Sequence, residues 1–217
     1  MKKLIAAIAI IALAGMGAQA QDWGIFHTGT SFADMQAGIA AVNKSKGLIP
    51  VGISHHGDKT YFMFVKNRIG ATGYFIQPIP KNASGPELQG AIQSMISQGW
   101  VPFDLTISPD SIYVLHLKSK ATISAWKIVS SGREWGSLQK TITDNPGYFP
   151  LGFTFDEKNA YTIIVNSPKS GITGWMIKNC GGNNSEINPA VEGMMGQGYT
   201  PYGFEFQGGQ VGINFLK

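Results

Sequence analysis

Histidine is the residue in this sequence best suited to acid–base chemistry or metal binding, because its imidazole titrates near neutral pH. The chain has four: His27, His55, His56 and His116. His55 and His116 fall on segments whose pattern predicts strands, so either could present a base or a ligand. The plainer interpretation of His55 is that a turn begins there. The spacing of the histidines forms no metal-ligand motif, and we predict no metal site.

Motifs for nucleophilic catalysis are missing as well. The chain has no G-x-S-x-G, H-E-x-x-H, Walker-loop or calcium-loop motif. An S-x-x-K word, Ser137-Leu138-Gln139-Lys140, lies on a predicted helix without the accompanying motifs of penicillin-recognising enzymes. We therefore favour a protein without catalytic residues or a cofactor. The alternative is a small hydrolase, for which the candidate side chains are His55, His56, His116, Asp58 and Asp110.

Aromatic residues recur at two fixed positions and suggest a binding surface. One set begins a predicted strand, and the other lies two residues before a proline. Recurring rings pack between neighbouring units or, at a rim, offer flat apolar faces to sugars or peptides. The loop of residues 179–185, rich in Asn and Gly, is a candidate contact surface because loops carry specificity on rigid scaffolds. The predicted ligand-binding residues are Trp23, Tyr74, Trp126, Trp175, Trp100, His55 and His116.

These residues are positioned by an internal repeat. Gly, a large apolar residue, any residue and Pro occur in this order at 47–50, 99–102, 147–150 and 198–201. Upstream, apolar residues spaced by three and four predict a short helix, with the Gly as its left-handed C-cap. Pro86 and Pro189 suit the starts of two of these helices. Downstream, alternating apolar residues predict two strands joined by a turn, and an aromatic-led strand follows.

The repeat divides the chain into four units of one helix followed by three strands, at about residues 30–78, 84–129, 133–179 and 185–217. The fourth unit lacks the aromatic-led strand, and residues 22–29 match it. We therefore predict a mainly β fold with short helices (α+β), closed by the N-terminal strand into a propeller-like ring. The alternative is a continuous antiparallel barrel or half-barrel with the helices outside.

This order of helix, G-[aromatic]-x-P phrase, hairpin and aromatic-led strand resembles the bacterial tandem repeat modules in the N-terminal region of fungal polyglycine hydrolases. The resemblance covers the chain downstream of its first twenty residues as four loose copies. In those enzymes the repeats are a non-catalytic, lectin-like region that precedes a separate serine hydrolase domain. The resemblance implies a binding or scaffolding module and carries over no catalytic residue.

Composition argues against a nucleic-acid partner. The 217 residues include 17 Lys plus Arg and 13 Asp plus Glu, and only 14% are charged. Only Arg68 and Arg133 are arginines, and no run of three cations could follow a phosphate backbone. A hydrophobic content of 43% is enough for a core, which excludes disorder.

The N-terminus predicts export. Lys2 and Lys3, an apolar stretch and Ala18-Gln19-Ala20 form a signal-peptide pattern, with cleavage after Ala20 and a single mature domain at 21–217. The apolar stretch is too short to span a membrane. The single cysteine, Cys180, cannot form an intramolecular disulfide. We expect a secreted or periplasmic protein without a membrane span.

These observations favour a non-enzymatic module that binds a neutral ligand such as a glycan or a peptide. Sparse charge and plentiful Gly, Asn, Gln, Ser and Thr suit such a ligand. The alternatives are the histidine-centred hydrolase and a module or inhibitor that acts through protein contacts.

Overall fold

The computed structural model describes residues 22–168 and 170–217, so the predicted signal peptide at 1–20 lies outside the described residues. None of the helices within the described ranges is long and apolar enough to cross a membrane. The elements, in chain order, are β1 Trp23–Thr28, α1 Phe32–Lys46, β2 Leu48–His56, β3 Lys59–Lys66, β4 Gly73–Pro80, α2 Gly85–Ser97, β5 Trp100–Ile107, β6 Ser111–Lys118, β7 Ala125–Gly132, α3 Trp135–Thr143, β8 Phe149–Phe155, β9 Asn159–Asn166, β10 Trp175–Gly181, α4 Asn184–Gly196, β11 Thr200–Gln207 and β12 Gln210–Leu216.

The predicted mainly β fold with short helices and a fourfold repeat is confirmed. The strands form four antiparallel sheets of three strands, in the orders β1-β3-β2, β4-β6-β5, β7-β9-β8 and β10-β12-β11. We number these sheets first to fourth in chain order. Because the strands pair in four separate sheets, the alternative of one continuous sheet curled into a barrel is wrong.

The aromatic-led strands pair differently from the predicted division into repeat units. Each of these strands belongs to the sheet that follows it in the chain: β4 pairs with β6, with Tyr74 opposite Leu117. The N-terminal strand likewise pairs with β3, with Trp23 opposite Val65, and β10 supplies the third strand of the fourth sheet. The prediction that residues 22–29 complete the fourth unit is therefore wrong. The repeating unit is strand, helix, strand, strand, because the helix carries the chain from one edge of a sheet to the other.

Local signals set the helix ends largely as predicted. Ser84 caps α2 in a capping box with Glu87, and a proline occupies the first turn. Gly47 ends α1 in the left-handed conformation, with φ 65°, which glycine adopts without steric cost. The fourth helix differs from the prediction because it begins at Asn184, so Pro189 lies inside it.

The strand after each helix is the one that packs against the equivalent strands of other sheets. We call β2, β5, β8 and β11 the inner strands. Strand β2 packs against β5 and β11, and β8 packs against the same two strands. Their apolar side chains join the largest hydrophobic cluster, which includes Val51, Phe103, Leu151 and Phe204. Each inner strand changes register just after its proline, as at Pro50/Gly52, so the repeated proline marks a bulge.

Candidate functional site

A single carboxylate lies where the four inner strands meet. Asp104 is fully buried. Its Oδ2 accepts hydrogen bonds from the backbone N–H groups of Ile53 at 2.8 Å and Phe204 at 3.2 Å. Its Oδ1 accepts from Leu105 at 2.9 Å and Phe153 at 3.2 Å. One side chain therefore holds all four inner strands.

Glycine makes room for this carboxylate in the other three repeats. Gly52, Gly152 and Gly203 occupy the position equivalent to Asp104, two residues after the repeated proline. A Cβ on Gly152 would collide with the backbone of Asp104. Gly203 has φ +110°, and a Cβ there would lie 3.4 Å from the Asp104 Oδ1. The point where the four inner strands meet therefore has space for a side chain at only one of these four equivalent positions.

A second polar layer lies two residues further along the inner strands, at Ser54, Thr106, Thr154 and Glu205. Three hydroxyls in it accept backbone N–H bonds from the neighbouring inner strand. Thr106 accepts from His55 at 2.8 Å, Thr154 from Ile107 at 3.3 Å, and Ser54 from Phe206 at 3.1 Å. These bonds join β2 to β5, β5 to β8, and β11 to β2.

The charges of the two buried acids are coupled. Burial raises the pKa of Asp104 well above its usual value, although its four N–H donors oppose the effect. Because each oxygen of Asp104 already accepts two bonds, no lone pair is left for a proton, and we assign the ionised form. Burial and the Asp104 charge raise the pKa of Glu205 well above its usual value, so we assign the protonated form. Both acids are buried among the inner strands.

A surface groove of about 420 Å³ lies between the first and fourth sheets. We call it the histidine groove because His27 and His56 line it. The ring of Phe206 lies 4.9 Å from that of Tyr61 and 5.6 Å from that of His56, measured between centroids. The ring of His27 lies 5.6 Å from that of Tyr61. One wall of the groove is therefore a continuous set of aromatic faces.

The opposite wall is polar and comes from the start of α4. Gly182, Asn183, Asn184 and Glu186 line it, and the Asn183 amide donates a hydrogen bond to the Glu186 carboxylate. This segment overlaps the loop of residues 179–185 that the sequence singled out. Burial is the main cause that lowers the pKa of His27, and the positive charge of Lys59 lowers it further. His27 therefore presents a neutral imidazole at neutral pH.

The corresponding groove between the third and fourth sheets is filled by Trp135. Gly212 takes the strand position that Tyr61 and Tyr161 hold in the first and third sheets. A Cβ on Gly212 would collide with the Trp135 ring, whose Nε1 donates to the Gln210 Oε1 at 3.2 Å. Between the second and third sheets, the Tyr161 hydroxyl donates to Asp156 at 2.8 Å. The grooves therefore differ in chemistry although the repeat is the same.

The aromatic residues predicted to bind ligand are spread over the molecule. Trp23, Tyr74, Trp126 and Trp175 lie on the outer strand of four different sheets. Trp23 is 3% exposed, and the other three are half-buried against the main core cluster. Trp100 is half-buried, 6.2 Å from the ring of Phe75 and with the Lys118 ammonium 5.2 Å from its own ring centroid. None of the five lines the histidine groove.

The two predicted histidines also lie outside this groove. His55 is half-buried at the end of β2, and burial together with His56 lowers its pKa. His116 is buried in β6, where its Nε2 lies 2.9 Å from the Gln77 Oε1. Burial lowers the pKa of His116 to about 4. Both histidines are neutral at physiological pH, and the structure does not bring them together.

Sequence reasoning missed the residues that form the groove and the centre. Phe206 and Tyr61 were not among the predicted binding residues. A signal for Asp104 was present, because it is the one charged residue at a repeat position otherwise held by glycine. Within the described residues, no three His, Cys, Asp or Glu side chains are arranged to hold a metal ion.

Two comparisons with known proteins found no match. No protein-family model matches the chain, and no curated protein matches it significantly.

Proposed function

We propose that this protein is a non-enzymatic binding protein for a neutral saccharide, and that the histidine groove is its binding site. The observation that carries the proposal is the pairing of an aromatic wall, formed by Tyr61, Phe206 and His56, with a polar wall that includes Asn184 and Glu186.

This pairing matches the two surfaces of a sugar ring. The C–H face of a sugar packs on aromatic rings, and its hydroxyl groups exchange hydrogen bonds with planar amide and carboxylate side chains. The volume of about 420 Å³ falls in the range of about 300–1,000 Å³ that is common for small-molecule sites. The described lining contains no lysine or arginine, which favours a neutral ligand over an anionic one.

The proposal includes the closed arrangement and the export of the protein. The contacts of β2 and β8 with both β5 and β11 support a closed, propeller-like ring of four units, as does the carboxylate shared by the four inner strands. The signal-peptide pattern at residues 1–20 supports export to the periplasm or the medium. The resemblance to lectin-like tandem repeats supports a binding role rather than a catalytic one.

The test is a glycan-array screen of the purified protein, followed by calorimetry on each sugar that binds. We expect His56→Ala and Asn184→Ala, both at exposed positions, to weaken binding about tenfold each, which corresponds to about 1.4 kcal/mol. Asn179→Ala is the matched control because Asn179 is exposed on the nearby β10 and does not line the groove.

Two outcomes would contradict the proposal. One is the absence of any sugar that binds at millimolar concentration. The other is a sugar whose affinity falls equally in the control and in the groove variants. Binding of extended peptides with the same dependence on His56 and Asn184 would assign the groove to a peptide instead.

A further inference from the structure

A second cavity, of about 410 Å³, opens at the other end of the inner strands. Its floor is made of residues next to the repeated prolines, including Phe103, Leu151 and Tyr202. Its walls carry Ile69 and Ile123, from the loops that lead out of the first and second sheets. We call this cavity the basin.

The basin is separate from the histidine groove. The groove is lined by His56 and Phe206, near the ends of β2 and β11, whereas the basin is lined by residues near the starts of the inner strands. Asp104 and Glu205 lie between these positions in the strands and are buried. A ligand in one cavity therefore does not contact the lining of the other.

The interior of the basin is apolar and aromatic. The rings of Phe103 and Tyr202 lie 5.5 Å apart, and Ile69, Ile123 and Leu151 complete the apolar surface. Ile69 and Ile123 are half-buried although they pack against the main core cluster. Filling the basin with an apolar group would remove this surface from water, which favours binding.

The rim of the basin is cationic. Lys120 and Arg68 line it and both are exposed, and its described lining contains no Asp or Glu. Arg68 is paired with Asp22. Lys120 makes no ion pair with the described residues. Among the residues that the structure describes, the rim thus offers the Lys120 ammonium above an apolar interior, which matches the charge and the shape of an amphipathic anion.

We propose that the basin binds a small amphipathic carboxylate, with its apolar chain against Phe103, Tyr202 and Ile123 and its carboxylate at Lys120. This site stands independently of the saccharide groove. Burial raises the pKa of Tyr202 to about 12, so its phenol stays neutral and adds no repulsion to an anionic ligand.

The experiment measures displacement of anilinonaphthalene sulfonate, an apolar fluorescent anion, by decanoate and by decanol, with calorimetry on decanoate as the direct measurement. We expect decanoate to displace the dye and to bind more tightly than decanol. Lys120→Gln should weaken decanoate about three- to fivefold, as expected for an exposed charge pair, and leave decanol unchanged. Ile123→Asp, which adds a carboxylate to the wall, should abolish decanoate binding.

The matched control is Lys158→Gln, at an exposed lysine in the turn between β8 and β9. It should bind decanoate as the unmodified protein does. The proposal is overturned if decanoate does not bind, or if Lys120→Gln and Lys158→Gln reduce decanoate binding equally. It is also overturned if Ile123→Asp, shown by circular dichroism to be folded, still binds decanoate. Failure of the saccharide screen would leave these results unaffected.

Discussion

Replacing Asp104 by asparagine tests whether one carboxylate holds the inner strands together. The asparagine side chain has nearly the same shape but only one oxygen, which can accept two of the four N–H bonds. Its amide nitrogen is a donor and would face the remaining two N–H groups. Two buried donors without an acceptor cost about 1–3 kcal/mol each. We therefore expect Asp104→Asn to lower the free energy of unfolding by about 4 kcal/mol.

Such a loss is a large part of the total stability of an ordinary domain, which is about 5–15 kcal/mol. Urea unfolding at neutral pH, followed by tryptophan fluorescence, measures it directly. The control is Asp144→Asn, because Asp144 is an exposed aspartate that pairs with Lys140 within one helical turn. We expect that control to cost less than about 0.5 kcal/mol.

The reasoning is refuted if Asp104→Asn costs less than about 1 kcal/mol, the net value of one ordinary hydrogen bond. It is also refuted if Asp104→Asn and Asp144→Asn are equally destabilising. A larger loss that comes with a changed urea dependence would mean that the four-strand centre also controls the compactness of the unfolded or native state.

Three further predictions concern the same centre and the grooves around it. Burial and the Asp104 charge raise the pKa of Glu205 in the folded state. The protonated Glu205 therefore makes its full contribution to the free energy of unfolding below the ordinary pKa of 4.5, and this contribution falls as the pH rises toward the pKa of the folded state. Urea unfolding across pH should therefore show a flatter profile for Glu205→Gln and greater stability than the unmodified protein at neutral pH. Gly152→Ala should destabilise by at least about 2 kcal/mol in the same assay, since overpacking usually costs about 1–3 kcal/mol and its methyl group meets rigid backbone; a neutral result would disprove the tight centre. Trp135→Ala should lower the free energy of unfolding by about 2 kcal/mol, less than the loss of about 3–5 kcal/mol for a fully buried Trp, because this ring is half-buried. The change should also open the groove beside Gly212, and recovery of stability in Trp135→Ala with Gly212→Ala would show that the methyl group occupies part of the vacated space.

Local patterns in the sequence determined most of the elements, because each helix and hairpin carries its own signals. The repeated phrase predicts the start of each inner strand correctly, and its glycine caps α1 as predicted. The third helix departs from the prediction, because it ends at Thr143 with Asp144 as its cap, before Gly147. The pairing of the aromatic-led strands could not be derived in this way. Three of them, β4, β7 and β10, stand between two hairpins with the same alternation. The sequence therefore offers each of these strands two chemically equal partners, and only the path of the helix connection distinguishes them.

The candidate site was harder to predict from the sequence, for a related reason. The loop of residues 179–185 could be singled out by composition, but the wall opposite it combines Phe206 on β11 with His56 and Tyr61 of the first sheet, which lie more than a hundred residues away in the chain. Trp23, Tyr74, Trp126 and Trp175 drew attention because they recur. Recurrence in a repeat marks positions that every unit needs for packing, whereas the groove depends on residues that differ between the units.

Divergence between the units follows from the electrostatics of the centre. Four identical repeats would place either four carboxylates or none at the position of Asp104. Four would repel one another without water to screen them, and none would leave the N–H groups of Ile53, Leu105, Phe153 and Phe204 without acceptors. One aspartate and three glycines satisfy all four donors with one charge. The grooves between the sheets diverge as well, because the Trp135 ring lies over Gly212 in one of them whereas the histidine groove keeps a volume of about 420 Å³.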